Sequence, residues 1–137
     1  MRFKKYIFAI NSYDQAVNTI KICYNWKILP IIYIKYFMVN GLGPDWVEEF
    51  NNLLKKQFSV KKFKLCVDCK NNYGLFINLV GQKIDYLKVD VEKETFVRLK
   101  QIAKKNKVLL NPHFSVLDLS KFKNIELKIK KIFKNDS

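Results

Sequence analysis

Apolar runs rich in β-branched residues recur along this chain, each followed by a stretch whose apolar residues fall at helical spacing, and that alternation constrains the fold more than any other feature. Residues 3–10 (FKKYIFAI) read as a first strand. Ser12 then opens a helix as N-cap, with Gln15 three residues on completing a capping box. Ala16, Val17, Ile20, Cys23 and Tyr24 make its apolar face. The run 28–39 (ILPIIYIKYFMV) is too continuous for a half-exposed strand and predicts a central one, covered on both faces. Asn40-Gly41-Leu42-Gly43 breaks it, and Pro44 suits the first turn of a helix whose apolar face is Trp46, Val47, Phe50, Leu53 and Leu54.

The pattern continues with a strand over 63–69, a short helix over 72–80 stopped by Gly81, and a strand over 84–89. Asp90 is placed to cap a helix running to about Lys105, and a strand over 108–110 ends at Asn111-Pro112. The expected architecture is a three-layer α/β fold: a mostly parallel, doubly wound sheet of five strands with helices on both faces. Residues 116–119 are available as a sixth strand. Beyond residue 120, Ile125, Leu127 and Ile129 alternate as a strand does, while Phe122, Ile125, Ile129, Ile132 and Phe133 follow a helical stripe; the stripe continues past the alternation and favours the helix. The chain therefore divides into one α/β domain over 1–120 and a basic, helical tail over 121–137.

Composition enters where it limits function. A chain of 137 residues with 49% hydrophobic residues can bury a core without metal or disulfide staples. The formal charge of +14 invites a polyanion partner, but of 26 basic residues only Arg2 and Arg98 are arginine. Lys, Asn and Ile are together abundant, as AT-rich codon usage favours, so a solvated basic surface is the plainer reading. Three cysteines form no disulfide framework and fit a reducing cytoplasm. No apolar run reaches the roughly 20 residues that a membrane span needs.

In an open parallel sheet, ligands bind outside the carboxyl ends of the strands. Asn40, Gly43, Asp68, Cys69, Asn72, Tyr73, Gly74, Asp90 and His113 are expected on that edge and are the ligand-binding candidates. Cys66 and Cys69 have redox spacing, but Cys66 lies inside a strand instead of at a helix N-terminus, and neither a metal site nor a cofactor is expected. A Cys69 nucleophile paired with His113 would have to close about 10 Å between strand tips spaced roughly 4.8 Å apart. The alternation is that of a response-regulator receiver domain, yet Asn11-Ser12 replaces the acidic pair and Asn111 replaces the lysine before the proline. Metal-dependent phosphotransfer is not expected.

The lysine clusters offer a second candidate surface: Lys55, Lys56, Lys61 and Lys62 before the third strand, and Lys128 and Lys131 within the tail cluster that includes Lys121. The order Gly43-Pro44-Asp45-Trp46, then Val67-Asp68-Cys69 with Tyr73-Gly74-Leu75, then Val116-Leu117-Asp118-Leu119 resembles a family of small uncharacterised bacterial α/β proteins. Those carry a GPxW-like helix start, a DCG…PG turn and a terminal LDL; the similarity spans about residues 12–120, with Lys70 and Tyr73 in place of the glycine and proline. The resemblance implies a fold and a loop of interest, and no activity. The leading expectation is a non-catalytic module that binds a protein or a small anionic ligand in the carboxyl-edge crevice. Nucleic-acid or other polyanion association is the first alternative, and a small enzyme with a Cys69 nucleophile the second.

Overall fold

The computed structural model describes residues 4–119 and 122–136. In chain order the elements are β1 (Lys4–Ile10), α1 (Tyr13–Asn25), β2 (Ile28–Ile34), α2 (Tyr36–Leu42), α3 (Pro44–Gln57), β3 (Lys64–Lys70), α4 (Tyr73–Gly81), β4 (Tyr86–Val89), α5 (Lys93–Lys105), β5 (Leu109–Leu110), β6 (Val116–Asp118) and α6 (Ile125–Asp136). The strands form one six-stranded sheet in the order β5-β4-β3-β2-β1-β6. Every pairing is parallel. Residues 116–118 thus supply the sixth strand, in register with Ile7–Ala9. Phe3 and Lys121 lie outside the described residues, as does the expected boundary at 120/121.

The parallel α/β sheet is as the sequence implies, but its layers are not. From β1 to β5 the strand order never reverses, so right-handed crossovers return every helix to the same face. The core cluster on that face joins Ile10, Ile32, Ile34, Leu65, Val67 and Leu87 to apolar residues of α1, α2, α3, α4 and α5. The opposite face carries a separate cluster of Ile7, Ala9, Ile31, Tyr33, Cys66 and Tyr86 with no helical residue in it. Its cover comes from the connection between β5 and β6, whose Phe114 meets Tyr86 edge-on with ring centroids 6.5 Å apart. Winding on both faces would need a reversal among the first five strands; the reversal falls only between β5 and β6.

The expected strand over 28–39 stops at Ile34, and Asn40 to Leu42 belong to α2 instead of a loop. Periodicity cannot separate a buried strand from a buried helix within a short apolar run. Here Met38 and Val39 turn inward while Phe37 is exposed, which is helical spacing. The tail helix forms as its stripe implies. Ile125, Ile129 and Phe133 are buried against Phe8 and Cys23. Among the described residues no helix is long and apolar enough to cross a membrane.

Candidate functional site

At the carboxyl edge, side chains of β2, β3, β4 and β5 are fixed by local chemistry. Asp68 points to the face that lacks helices, where it accepts hydrogen bonds from the Tyr33 hydroxyl (2.7 Å) and the Lys70 N–H (2.9 Å). Lys70 takes a left-handed φ of 47° at a register shift against β4. The chain then turns into α4, where Asn72 accepts from the Leu75 N–H at 3.0 Å, as an N-cap does. The Asp90 N–H donates to the Lys70 carbonyl at 3.0 Å, tying the ends of β3 and β4 together. Asn111 clamps Val89 on both its backbone groups, at 2.7 and 3.0 Å. Lys35 and Asp118 of the LDL-like segment form an ion pair of 2.9 Å between the ends of β2 and β6.

Between α4 and α5 this edge opens into a cavity of about 520 Å³, lined by Asn71, Tyr73, Asp90, Val91, Glu92 and Thr95. Asp90 does not cap α5 as expected. Glu92 occupies the cap position, with no side-chain cap bond, and the helix starts at Lys93. A run of Asp90-Val91-Glu92 offers two acidic residues near one helix start, and the later one falls at the boundary. Asp90 is left lining the cavity.

Of the expected ligand-binding residues, the structure brings together Tyr73 and Asp90, with Asn72 and Gly74 in the turn behind them. Gly74 is not a steric requirement: an added Cβ would meet Asn72 Oδ1 at 3.8 Å, an ordinary contact. Asn40 accepts from the Tyr36 hydroxyl at 3.3 Å, and the Tyr36 ring lies 5.1 Å from the Lys70 ammonium, so it stays near the end of β3 without lining the cavity. Gly43 leads away. Its neighbour Pro44 accepts from Gln82, beside the far end of α4. His113 is exposed on the β5–β6 connection.

Cys69 is removed from the candidates by its surroundings. It is fully buried in the helix-side core, and burial first, then the Asp68 carboxylate, pushes its thiol up to about 12. A nucleophile needs access and thiolate character, and Cys69 has neither. Cys66 sits in the cluster on the opposite face, so the two thiols do not converge as a redox pair. Burial raises the Cys66 thiol too, with Asp68 adding to the shift. Among the described residues no three His, Cys, Asp or Glu side chains come together as a ligand set.

A second concave region lies at the other edge. A cavity of about 760 Å³ is lined by Tyr24, Asn25, Lys27, Ile28, Leu29, Lys61 and Lys62. Lys61 and Lys62 reach it because Ser59 opens a β-turn, closed by the Lys62 N–H bonding to the Ser59 carbonyl at 2.9 Å. Lys55 and Lys56 lie in the last turn of α3, where they complement the helix dipole. On the tail, Lys131 is exposed and Lys128 lies over the Phe122 ring at 4.8 Å. The expected clusters therefore separate: Lys61 and Lys62 line this cavity, while Lys55, Lys56, Lys128 and Lys131 are not among its lining residues. Sequence reading placed Tyr24 on the buried stripe of α1; the structure turns it outward, 62% exposed, with the Lys62 ammonium 4.4 Å from its ring centre. Its position at the end of that stripe, next to Asn25, is the signal that was available.

No family model and no curated protein matches the chain.

Proposed function

We propose that the protein is a non-catalytic binding module whose ligand enters the carboxyl-edge cavity between α4 and α5. The observation that carries this reading is Asp90, released from the capping role and lining a concave site with Tyr73, Glu92 and Thr95. Its volume of about 520 Å³ falls within the roughly 300–1,000 Å³ of small-ligand pockets. The lining revises the expected ligand: two carboxylates oppose an anion and favour a small molecule that presents amine or hydroxyl donors. The likeness of the Asp68–Gly74 turn to the DCG…PG motif supports the same loop. Two-dimensional amide NMR with small amines and polyols tests it. Shifts should gather at residues 71–73 and 90–95 and vanish in Asp90→Asn; shifts confined to other surfaces would remove the reading.

A second reading, association with a polyanion, is favoured by one specific observation. The 760 Å³ cavity carries Lys27, Lys61 and Lys62 on its wall, and no acidic residue is among the residues that line it.

A further inference from the structure

We propose that the concave surface around the C-terminal half of α1 binds single-stranded nucleic acid, with Tyr24 as the platform for a base and Lys21, Lys27, Lys61, Lys62 and Lys123 as phosphate contacts. This rests on the polyanion reading and names its ligand. The surface is larger than one cavity. The 760 Å³ cavity adjoins one of about 330 Å³, lined by Ile20, Lys21, Tyr24, Asn25, Phe58 and Lys62, with which it shares Tyr24, Asn25 and Lys62. A third, of about 560 Å³, lies between α1 and the start of α6 and includes Lys21, Asn25 and Lys123. Asn25 lines all three. The one acidic side chain among these walls, Glu126, is paired with Lys130 at 3.2 Å.

Helix dipoles explain some of these lysines, since the negative end of α1 lies here. They do not explain why a tyrosine stands 62% exposed between two cavities with an ammonium over its ring. An exposed aromatic ring among cationic side chains suits a strand with unstacked bases: the ring takes a base and the lysines track the phosphates. A duplex keeps its base faces stacked away from such a ring. Lysines act as point charges, and among the described residues no arginine lines these cavities, so arginine's planar fork to guanine or phosphate is missing and the stacking and charge contacts are sequence-tolerant. Asn18, Asn25 and Asn124 add amide donors along the same path.

Fluorescence anisotropy with labelled oligouridylate and oligothymidylate of about 12 nucleotides tests this, with inorganic polyphosphate as the base-free polyanion. Circular dichroism confirms that the variants are folded. Tyr24→Ala should weaken oligonucleotide binding about 5- to 150-fold, the range of one base–aromatic stack, and leave polyphosphate binding unchanged. Tyr24→Trp should restore it. Lys61→Ala/Lys62→Ala should weaken both ligands and flatten the salt dependence of oligonucleotide binding by about 1.4, at about 0.7 per single-strand phosphate contact. Equal oligonucleotide binding by wild type and Tyr24→Ala, with both ligands still lost in the double-lysine variant, would overturn this inference and leave the polyanion reading standing. If neither ligand binds the wild-type protein, both fall. The uridylate and thymidylate arms separate RNA from DNA as the source of the strand.

Discussion

Where β3 and β5 end, Asp68, Asn72 and Asn111 tie the chain down with side-chain hydrogen bonds; where α1, α4 and α5 end, Lys27, Lys83 and Lys107 turn it with left-handed backbone. Both devices satisfy polar groups that a strand or helix leaves open at its terminus. They differ in what a mutation removes. At the carboxyl edge a substitution deletes a partner and leaves a buried or capped group without one. At the three lysine turns the bonds are made by backbone atoms, and the side chain contributes strain. Substitutions at those side-chain partners and at these lysine turns should therefore change stability in opposite directions.

The largest effect is expected at Asp68. Asp68→Ala leaves the Tyr33 hydroxyl and the Lys70 N–H without their acceptor, at about 3–6 kcal/mol for two bonds to a charged group. Denaturant unfolding measures it. Tyr33→Phe should cost less, because the Lys70 N–H still binds the carboxylate. A loss below about 1 kcal/mol for Asp68→Ala would mean that the carboxyl edge does not depend on this bond.

Alkaline pH probes the same region. Burial raises the thiols of Cys69 and Cys23 to about 12, each from an ordinary 9.0. The folded state thus holds protons that the unfolded chain releases, so the stabilisation is complete below about 9 and is lost as pH rises to about 12. Tyr33, raised by burial and then by its bond to Asp68, acts in the same direction from its ordinary value of 10.0 upward. Unfolding free energy should fall by about 1 kcal/mol per pH unit for each titrating group. Urea midpoints at pH 7, 9 and 10.5 check the slope, and native thiols should stay inert to a disulfide reagent until the protein unfolds. A flat profile through pH 10.5 would contradict the burial of these thiols.

The caps come next. Asn72→Ala removes the acceptor of the Leu75 N–H and should cost about 1 kcal/mol, read as a lower thermal midpoint. This edge was legible in the sequence because an N-cap acts through a side-chain type. Ser12 accepts from the Gln15 N–H at 3.2 Å as expected, while Gln15 reaches back one residue further than a capping box requires, to the Asn11 N–H. Strand and helix order were legible from period, and so was the tail helix. The one-sided layering was not, because local periodicity says nothing about strand order. Nor was the helix over 36–42, because Tyr36 to Val39 continue the apolar run of the strand before them and suit either structure. Tyr24 escaped for a related reason: the last residue of an apolar stripe is where the helix turns away from its core. The left-handed turns at Lys27, Lys70, Lys83 and Lys107 were the least legible, because they use lysine where glycine is expected.

The smallest effect, and the sharpest test of the comparison, lies at those lysines. Lys27, Lys83 and Lys107 have φ of 54°, 58° and 60°, each one residue past a helix cap. Their N–H groups return to the carbonyls of Tyr24, Val80 and Lys104, and the Val108 N–H bonds to the Ala103 carbonyl, the pattern of a Schellman motif. The next residues, Ile28, Ile84 and Val108, are buried, which supplies the motif's apolar contact. A lysine there carries roughly 1–2 kcal/mol of left-handed strain that glycine does not. Glycine gains more entropy in the unfolded chain, which returns about 0.4–1 kcal/mol of that difference. Lys83→Gly and Lys107→Gly should each stabilise the fold by about 0.5–1 kcal/mol, the sign opposite to Asn72→Ala. Both lie away from the Tyr24 surface, so oligonucleotide binding should stay unchanged while the thermal midpoint rises. If these glycine variants are instead destabilised, the lysine side chains hold the amino edge through charge or packing, and the two edges are built alike.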